Sequence, residues 1–84
     1  MKTVTVRYFA SIREAVGQGS EPVQTAAATL GDLRDELIAR GGAYASSLAR
    51  GKAVRMALNQ VLSDDAAALS AGAEVAFFPP VTGG

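Results

Sequence analysis

Between residues 29 and 42 the chain carries its clearest helical period, and that stretch limits what the rest can become. Leu30, Leu33, Leu37 and Ile38 recur at i, i+3, i+7 and i+8, which makes one apolar stripe along a helix. Thr29-Leu30-Gly31-Asp32 in front of it has the spacing of an N-terminal cap, with Asp in place of the more usual Glu. Gly41-Gly42 supplies a stop, and Arg40 falls in the expected last turn, where a cation complements the helix dipole. One helix of about three turns can cover one face of one small sheet. A chain of 84 residues has room for a single small core and no more.

The sheet comes from stretches that alternate. Residues 2–10, Lys-Thr-Val-Thr-Val-Arg-Tyr-Phe-Ala, have period two and are rich in β-branched and aromatic types, so a first strand is expected with Val4, Val6 and Tyr8 facing the core. Ser11-Ile12-Arg13-Glu14 has capping-box spacing and Gly17 a stop, which gives one or two helical turns over 12–16. A weaker strand comes next at 21–25, where Pro22 suits a sheet edge. It would pair with the first strand as a hairpin with an elaborated loop. Ala43 to Arg50 could form a short second helix, with Tyr44 and Leu48 covering the core.

Lys52 to Asn59 alternates again, with Val54, Met56 and Leu58 on one face. Asn59-Gln60 reads as a turn because Asn tolerates left-handed φ, and Val61-Leu62 starts a short return strand. Asp64-Asp65 and the alanines behind them read as a capped turn or brief helix. Gly72 breaks the chain before Glu74-Val75-Ala76-Phe77-Phe78, the last strand. Strand, strand, helix, strand, short strand, strand is the order of an α+β β-grasp fold. It is a mixed sheet of about five strands with one main helix on one face and the last strand parallel to the first.

Composition removes several functions. Cysteine and histidine are both absent, so the chain offers no thiol nucleophile, imidazole base, disulfide framework or zinc site of the usual kind. No glycine-rich phosphate loop occurs and no carboxylates form a recognisable catalytic pair, so an autonomous enzyme and a bound cofactor or metal are not expected. Eight basic and eight acidic residues leave no net charge, which argues against nucleic-acid binding through counterion release. With no long apolar run and no leader pattern, the expectation is a cytoplasmic protein without a membrane partner.

The C-terminal stretch is Phe77-Phe78-Pro79-Pro80-Val81-Thr82-Gly83-Gly84. Each Pro fixes φ and lacks an N–H, so the pair ends sheet pairing and directs the residues after it along a stiff, extended path. Gly83 and Gly84 have no Cβ and could pass a narrow channel with the last carbonyl open to attack. A Gly-Gly ending is by itself an ordinary frayed terminus. A strand and Pro-Pro in front of it change that reading, because a random tail has no reason to be held out from a sheet. Residues 1–78 are therefore expected to form the domain and residues 79–84 an extended tail, with the carboxylate of Gly84 as the functional group.

Period two sends Arg7, Phe9, Arg55, Ala57, Ala76 and Phe78 to the face the helix leaves open. Two phenylalanines among small residues and arginines look like a protein-binding surface. Shielding of Phe9 by the 12–16 helix is the competing reading. Arg13 could also pair with a partner, although capping and solvation explain Arg13 and Glu14 more simply. Lys52 reads as a solvated lysine at a strand entrance.

Residues 77–84 resemble the ending of the molybdopterin synthase small subunit family, sulfur carriers with a ubiquitin-like β-grasp fold. Tyr8-Phe9-Ala10, Ile12-Arg13-Glu14, Gly17, Leu58-Asn59-Gln60 and Glu74-Val75-Ala76 extend the resemblance over nearly the whole chain. Ala71-Gly72-Ala73-Glu74 departs from it, since family members often carry Asp-Gly-Asp-Glu there. The resemblance implies that an activating, ubiquitin-activating-like enzyme consumes ATP to adenylate Gly84, and that sulfur from a sulfurtransferase then replaces AMP. It also implies that the tail, from Pro79 through Pro80, Val81, Thr82 and Gly83, carries the thiocarboxylate into a large synthase subunit. There the sulfur passes to a cyclic pterin precursor, in a heterotetramer of two small and two large subunits. Phe9, Phe78, Arg7, Arg55 and Arg13 would meet the partner. Alternatives are a carrier for thiazole synthesis or tRNA thiolation, a ubiquitin-like protein modifier, or a plain interaction domain with an inert Gly84.

Overall fold

A computed structural model of the chain describes residues 1–80. Five strands, β1 (Lys2–Tyr8), β2 (Ser20–Thr25), β3 (Arg55–Leu58), β4 (Val61–Ser63) and β5 (Glu74–Phe78), form one mixed sheet in the order β2-β1-β5-β3-β4. Three helices accompany it: α1 (Ala10–Val16), α2 (Leu30–Ile38) and α3 (Gly42–Leu48). β1 and β5 run parallel at the centre, and every other pairing is antiparallel. β2 is an edge strand, and Pro22 sits there opposite Thr5, where a missing N–H costs least. This is the α+β β-grasp arrangement expected from the pattern.

The core is the set of alternating residues that face the helices. Val4, Val6, Tyr8, Val75 and Phe77 from the central strands are sealed against Leu30, Leu33 and Leu37 of α2, with Ile12 and Leu48 from the flanking helices. Tyr8 stacks on Phe77 with ring centroids 6.3 Å apart. The Thr29 hydroxyl caps α2 by accepting from the Asp32 N–H, as its spacing foretold. Two backbone bonds then tie the start of α2 to the loop after β4, Leu30 N–H to Ala67 O and Gly31 N–H to Asp65 O. Gly31 is required by that contact, because a Cβ there would meet the Asp65 side chain at 2.9 Å. Asn59 and Gln60 both adopt positive φ, 50° and 70°, and make the tight two-residue hairpin turn between β3 and β4.

Three local expectations need correction. β1 ends at Tyr8 rather than at residue 10, because Ala10 turns to φ 51° and begins α1. The Ser11–Glu14 capping box is not formed. Phe9 occupies the N-cap position with no side-chain cap, and its carbonyl accepts from the Ile12 and Arg13 N–H groups, which places Ser11 inside the first turn. Arg40 does not lie in the last turn of α2, which ends at Ile38. The guanidinium instead reaches the Glu21 carboxylate at 3.1 Å, a stronger attraction than a helix end offers. Asp64 is a turn residue, accepting from the Ala66 N–H, and no helix comes after it among the described residues.

Candidate functional site

The strand register defines the open face. In a sheet, residues directly opposite one another point to the same side. Arg7 lies opposite Ala76, Ala76 opposite Ala57, and Ala57 opposite Leu62, which gives one row across four strands. Arg55 lies opposite Phe78 in the next row toward the C-terminal end of β5. Phe9 continues β1 beside them, its N–H donating to Phe77 O at 3.2 Å. A shallow depression there is lined by Arg7, Phe9, Gln60, Glu74, Ala76, Phe78, Pro79 and Pro80. The parallel pairing of β1 with β5 is what brings Phe9, Phe78 and the prolines to one corner.

Phe9 is 39% exposed, so α1 does not shield it, and Phe78 is half-buried. Arg7 is already engaged. Its guanidinium stands 5.3 Å from the Phe9 ring centroid and 3.8 Å from the Glu74 carboxylate, so it braces the aromatic and leaves Phe9 a fixed apolar contact. Arg55 is exposed beside Phe78 and lines a second groove with Val54, Met56 and Leu62 around the β3–β4 edge. Arg13 stands apart from this face. It lines a separate groove with Glu14, Gly17, Gln18 and Gly19. Val81, Thr82, Gly83 and Gly84 lie outside the described residues.

Leu62 was missed in the sequence, yet it is 61% exposed and completes the apolar row from Arg7. The signal was present. A two-residue turn at Asn59-Gln60 forces Leu58 opposite Val61 and Ala57 opposite Leu62, so an outward Ala57 makes Leu62 outward as well. Three polar devices on the opposite side of the sheet were also missed. The Glu21 carboxylate accepts from Tyr8 Oη and Tyr44 Oη, both at 2.8 Å, and pairs with Arg40. Burial would raise the Glu21 pKa, but the three donors and the Arg40 charge outweigh it and hold the carboxyl below its ordinary value. Burial and the same carboxylate push the Tyr8 phenol far above its ordinary range. Arg34, almost wholly buried, donates to the carbonyls of Leu48 at 2.7 Å and Ala49 at 2.8 Å and closes the end of α3. Arg50 bridges Asp35, Asp65 and the Gly31 carbonyl, clamping α2 to the loop after β4.

The strong interactions of the carboxylates Glu21, Asp35 and Asp65 are thus with cations and hydroxyls that hold the fold. Among the described residues no group of three Asp, Glu, His or Cys side chains is gathered where a metal could sit. No helix among them is long and apolar enough to cross a membrane. What the described surface offers is an apolar depression at the corner where β1 and β5 end, bordered by Phe9, Phe78, Pro79 and Pro80.

Fold and face together define a ubiquitin-like β-grasp domain whose exposed sheet meets its own C-terminal exit. The chain belongs to the ThiS family, whose model matches residues 6–84. It is 41% identical over 81 residues to the molybdopterin synthase sulfur carrier subunit of Escherichia coli K12, a match that takes in 96% of this chain and 99% of that protein. The structure resembles small archaeal modifier protein 1 of Haloferax volcanii at 26% identity and a TM-score of 0.79, covering 96% of this chain and all of the other. It also resembles a chain from the complex of subunits 1 and 2 of the molybdopterin-converting factor of Helicobacter pylori 26695. That match has 29% identity and a TM-score of 0.67, and covers 98% and 99% of the two chains.

Proposed function

We propose that this chain is the sulfur carrier subunit of a molybdopterin synthase and that Gly84 carries the sulfur. The observation that supports it most is the corner where β1 and β5 end together, with Phe9, Phe78, Pro79 and Pro80 in one apolar depression. A partner that docks on this face receives the tail beside it. The E. coli relative's name and the two-subunit complex from H. pylori support the same partner.

In this reading residues 1–78 are the docking domain and 79–84 the tail. An activating enzyme transfers AMP from ATP to the Gly84 carboxylate with loss of pyrophosphate, and a sulfur nucleophile fed by a sulfurtransferase displaces AMP to leave a thiocarboxylate. The large subunit then binds the open face, in a heterotetramer of two small and two large chains, and supplies the acids and bases for transfer to the pterin precursor. This chain binds no cofactor of its own, and the setting is the cytoplasm. Phe9 and Phe78 give the apolar contact, Arg7 fixes Phe9, and Arg55 offers a charge at the rim. Arg13 lines a separate groove, so a partner contact through it would be additional to this face.

The likeness to the archaeal modifier favours one second reading, a protein modifier joined to lysines of other proteins. Intact mass spectrometry after incubation with ATP, the activating enzyme and a sulfur donor separates the two. The full chain is expected to gain the mass of one oxygen exchanged for sulfur, and a chain ending at Thr82 to fold normally and gain nothing. Conjugates on other proteins' lysines with no sulfur-loaded chain would favour the modifier instead.

A further inference from the structure

The sheet has two edges, β2 and β4, and they are built differently. β2 is guarded: Pro22 removes an outward N–H near its middle, and Glu21 beside it is held by two phenols and Arg40. β4 has no such guard. It carries no proline, glycine or charge, and its Val61 and Leu62 are 64% and 61% exposed. The turn before it fixes which backbone groups are left over. Asn59 and Gln60 make a two-residue turn of positive φ, so Leu58 and Val61 exchange hydrogen bonds, and Met56 and Ser63 do the same. The Ala57–Leu62 pair between them does not. Ala57 turns its N–H and C=O toward β5, and Leu62 turns its own toward the edge, where neither has a partner among the described residues.

We propose that the β4 edge pairs with the β4 edge of a second copy of this chain, antiparallel about a two-fold axis at Leu62. Self-complementarity singles out that occupant. Leu62 offers one N–H and one C=O, and Leu62 of the second copy matches both, so a strand of only three residues is satisfied in full. In that register Val61 meets Ser63 of the second copy, and Gln60 meets its Asp64. Asp64 uses one carboxylate oxygen on the Ala66 N–H, which leaves the other for the Gln60 amide. The two Asp64 side chains fall four residues apart along the strands, about 13 Å, so like charges do not oppose each other. A groove of about 890 Å³, lined by Arg34, Arg55, Asp64, Asp65 and Ala66, opens at this end of β4 and receives the Asn59-Gln60 turn of the second copy. The axis stands perpendicular to the sheet, so both open faces lie on one side. The row Arg7, Ala76, Ala57, Leu62 then runs unbroken into the same row of the second copy. The small contact makes the dimer weak and exchangeable. It uses neither Gly84 nor the corner at Phe9 and Phe78, so it stands apart from the proposed function.

Sedimentation velocity of the full chain from about 10 μM to 1 mM is the test. The mass should rise with concentration from one chain toward two and stop there. Leu62→Lys and Leu62→Glu each set like charges against each other at the axis and should weaken association at least about tenfold. Their melting transitions should stay near the parent's, because the Leu62 side chain lies outside the core. An equimolar mixture of the two variants should recover the dimer. The chain has no cysteine, so Leu62→Cys reports on the contact directly. A Cα separation of about 5.5 Å in such a pair suits a disulfide. Mild oxidation should give the covalent dimer, with Gln24→Cys on the β2 edge lagging at least about tenfold. A chain that stays monomeric at the highest concentration, growth past two copies, or association indifferent to either charge would overturn the proposal. So would a Lys and Glu mixture that stays monomeric, equal cross-linking of the two cysteines, or protection of the Leu62 amide from exchange only when the large subunit is added. That last result would assign the edge to the large subunit instead.

Discussion

Phe77 and Phe78 are adjacent on β5 and have the same side chain, yet Phe77 is fully sealed against Tyr8 while Phe78 lines the open depression beside Pro79. The whole sheet repeats that contrast. On the helix side, large apolar groups interlock and the polar groups at the rim are paired, Glu21 with two phenols and a guanidinium. On the open side, small residues such as Ala57 and Ala76 lie between a few aromatics, with Arg7 leaning on one of them. One period-two pattern therefore separates a packed side from an open side, residue by residue, and in the proposed reading it separates stability from recognition. A flat face with small residues at its centre can accept a partner closely, and the cost of leaving it exposed is borne by the other side's packing.

The largest expected effect lies on the sealed side. Phe77→Ala should cost about 3–5 kcal/mol of folding stability, read from a urea titration, with affinity per folded molecule unchanged. Phe78→Ala reverses the profile. Its melting transition should stay close to that of the parent, while binding to the large synthase subunit weakens by about 2 kcal/mol or more, measured by calorimetry. Equal losses of stability from both substitutions would break the contrast.

A smaller effect sharpens the polar side of the comparison. Glu21→Gln removes the charge that Tyr8, Tyr44 and Arg40 surround, and should cost about 1–3 kcal/mol near neutral pH. Because the native Glu21 pKa is below its ordinary value, its stabilisation is complete above that value and is lost as pH falls through the native one. The variant should accordingly lose less stability than the parent between pH 7 and 3. Tyr8, with its pKa raised, gives the opposite limb, a stabilisation that fades as pH rises past the ordinary phenol range. Parallel acid limbs for the two proteins would show that Glu21 is not the group responsible. The smallest effect belongs to Leu62→Ala, which should leave stability unchanged and weaken partner binding by about 1 kcal/mol or less.

Alternation made the sheet legible, because each strand needs only a two-residue repeat to declare its inner face. Val4, Val6, Tyr8, Met56, Val75 and Phe77 are all inside as expected. α2 was legible for the same reason, through its leucine stripe and the Thr29 cap. Its end was not, because Arg40 had a better partner on β2, some twenty residues away in sequence, than the helix could offer. Ser11 shows a local signal losing to geometry, since the chain must turn at Ala10 to leave β1, and the helix begins before the serine can cap it. Arg34 and Arg50 could not be read because their acceptors are backbone carbonyls and distant carboxylates set by the tertiary fold. Of the candidate site, Phe9, Phe78, Ala57 and Ala76 were legible by parity. Leu62 was available from the turn length, and Arg13's absence from the face required the actual course of α1.

The central claim is that the open face and the tail's exit form one docking surface while the helix side stays closed. Amide and side-chain NMR spectra of the isotopically labelled chain, recorded with and without the unlabelled large subunit, test this most directly. Shifts should cluster at Arg7, Phe9, Ala57, Leu62, Ala76 and Phe78, with Leu33, Leu37 and Tyr44 unmoved. Perturbations centred on α2 and α3, with Phe9 and Phe78 unchanged, would contradict the account.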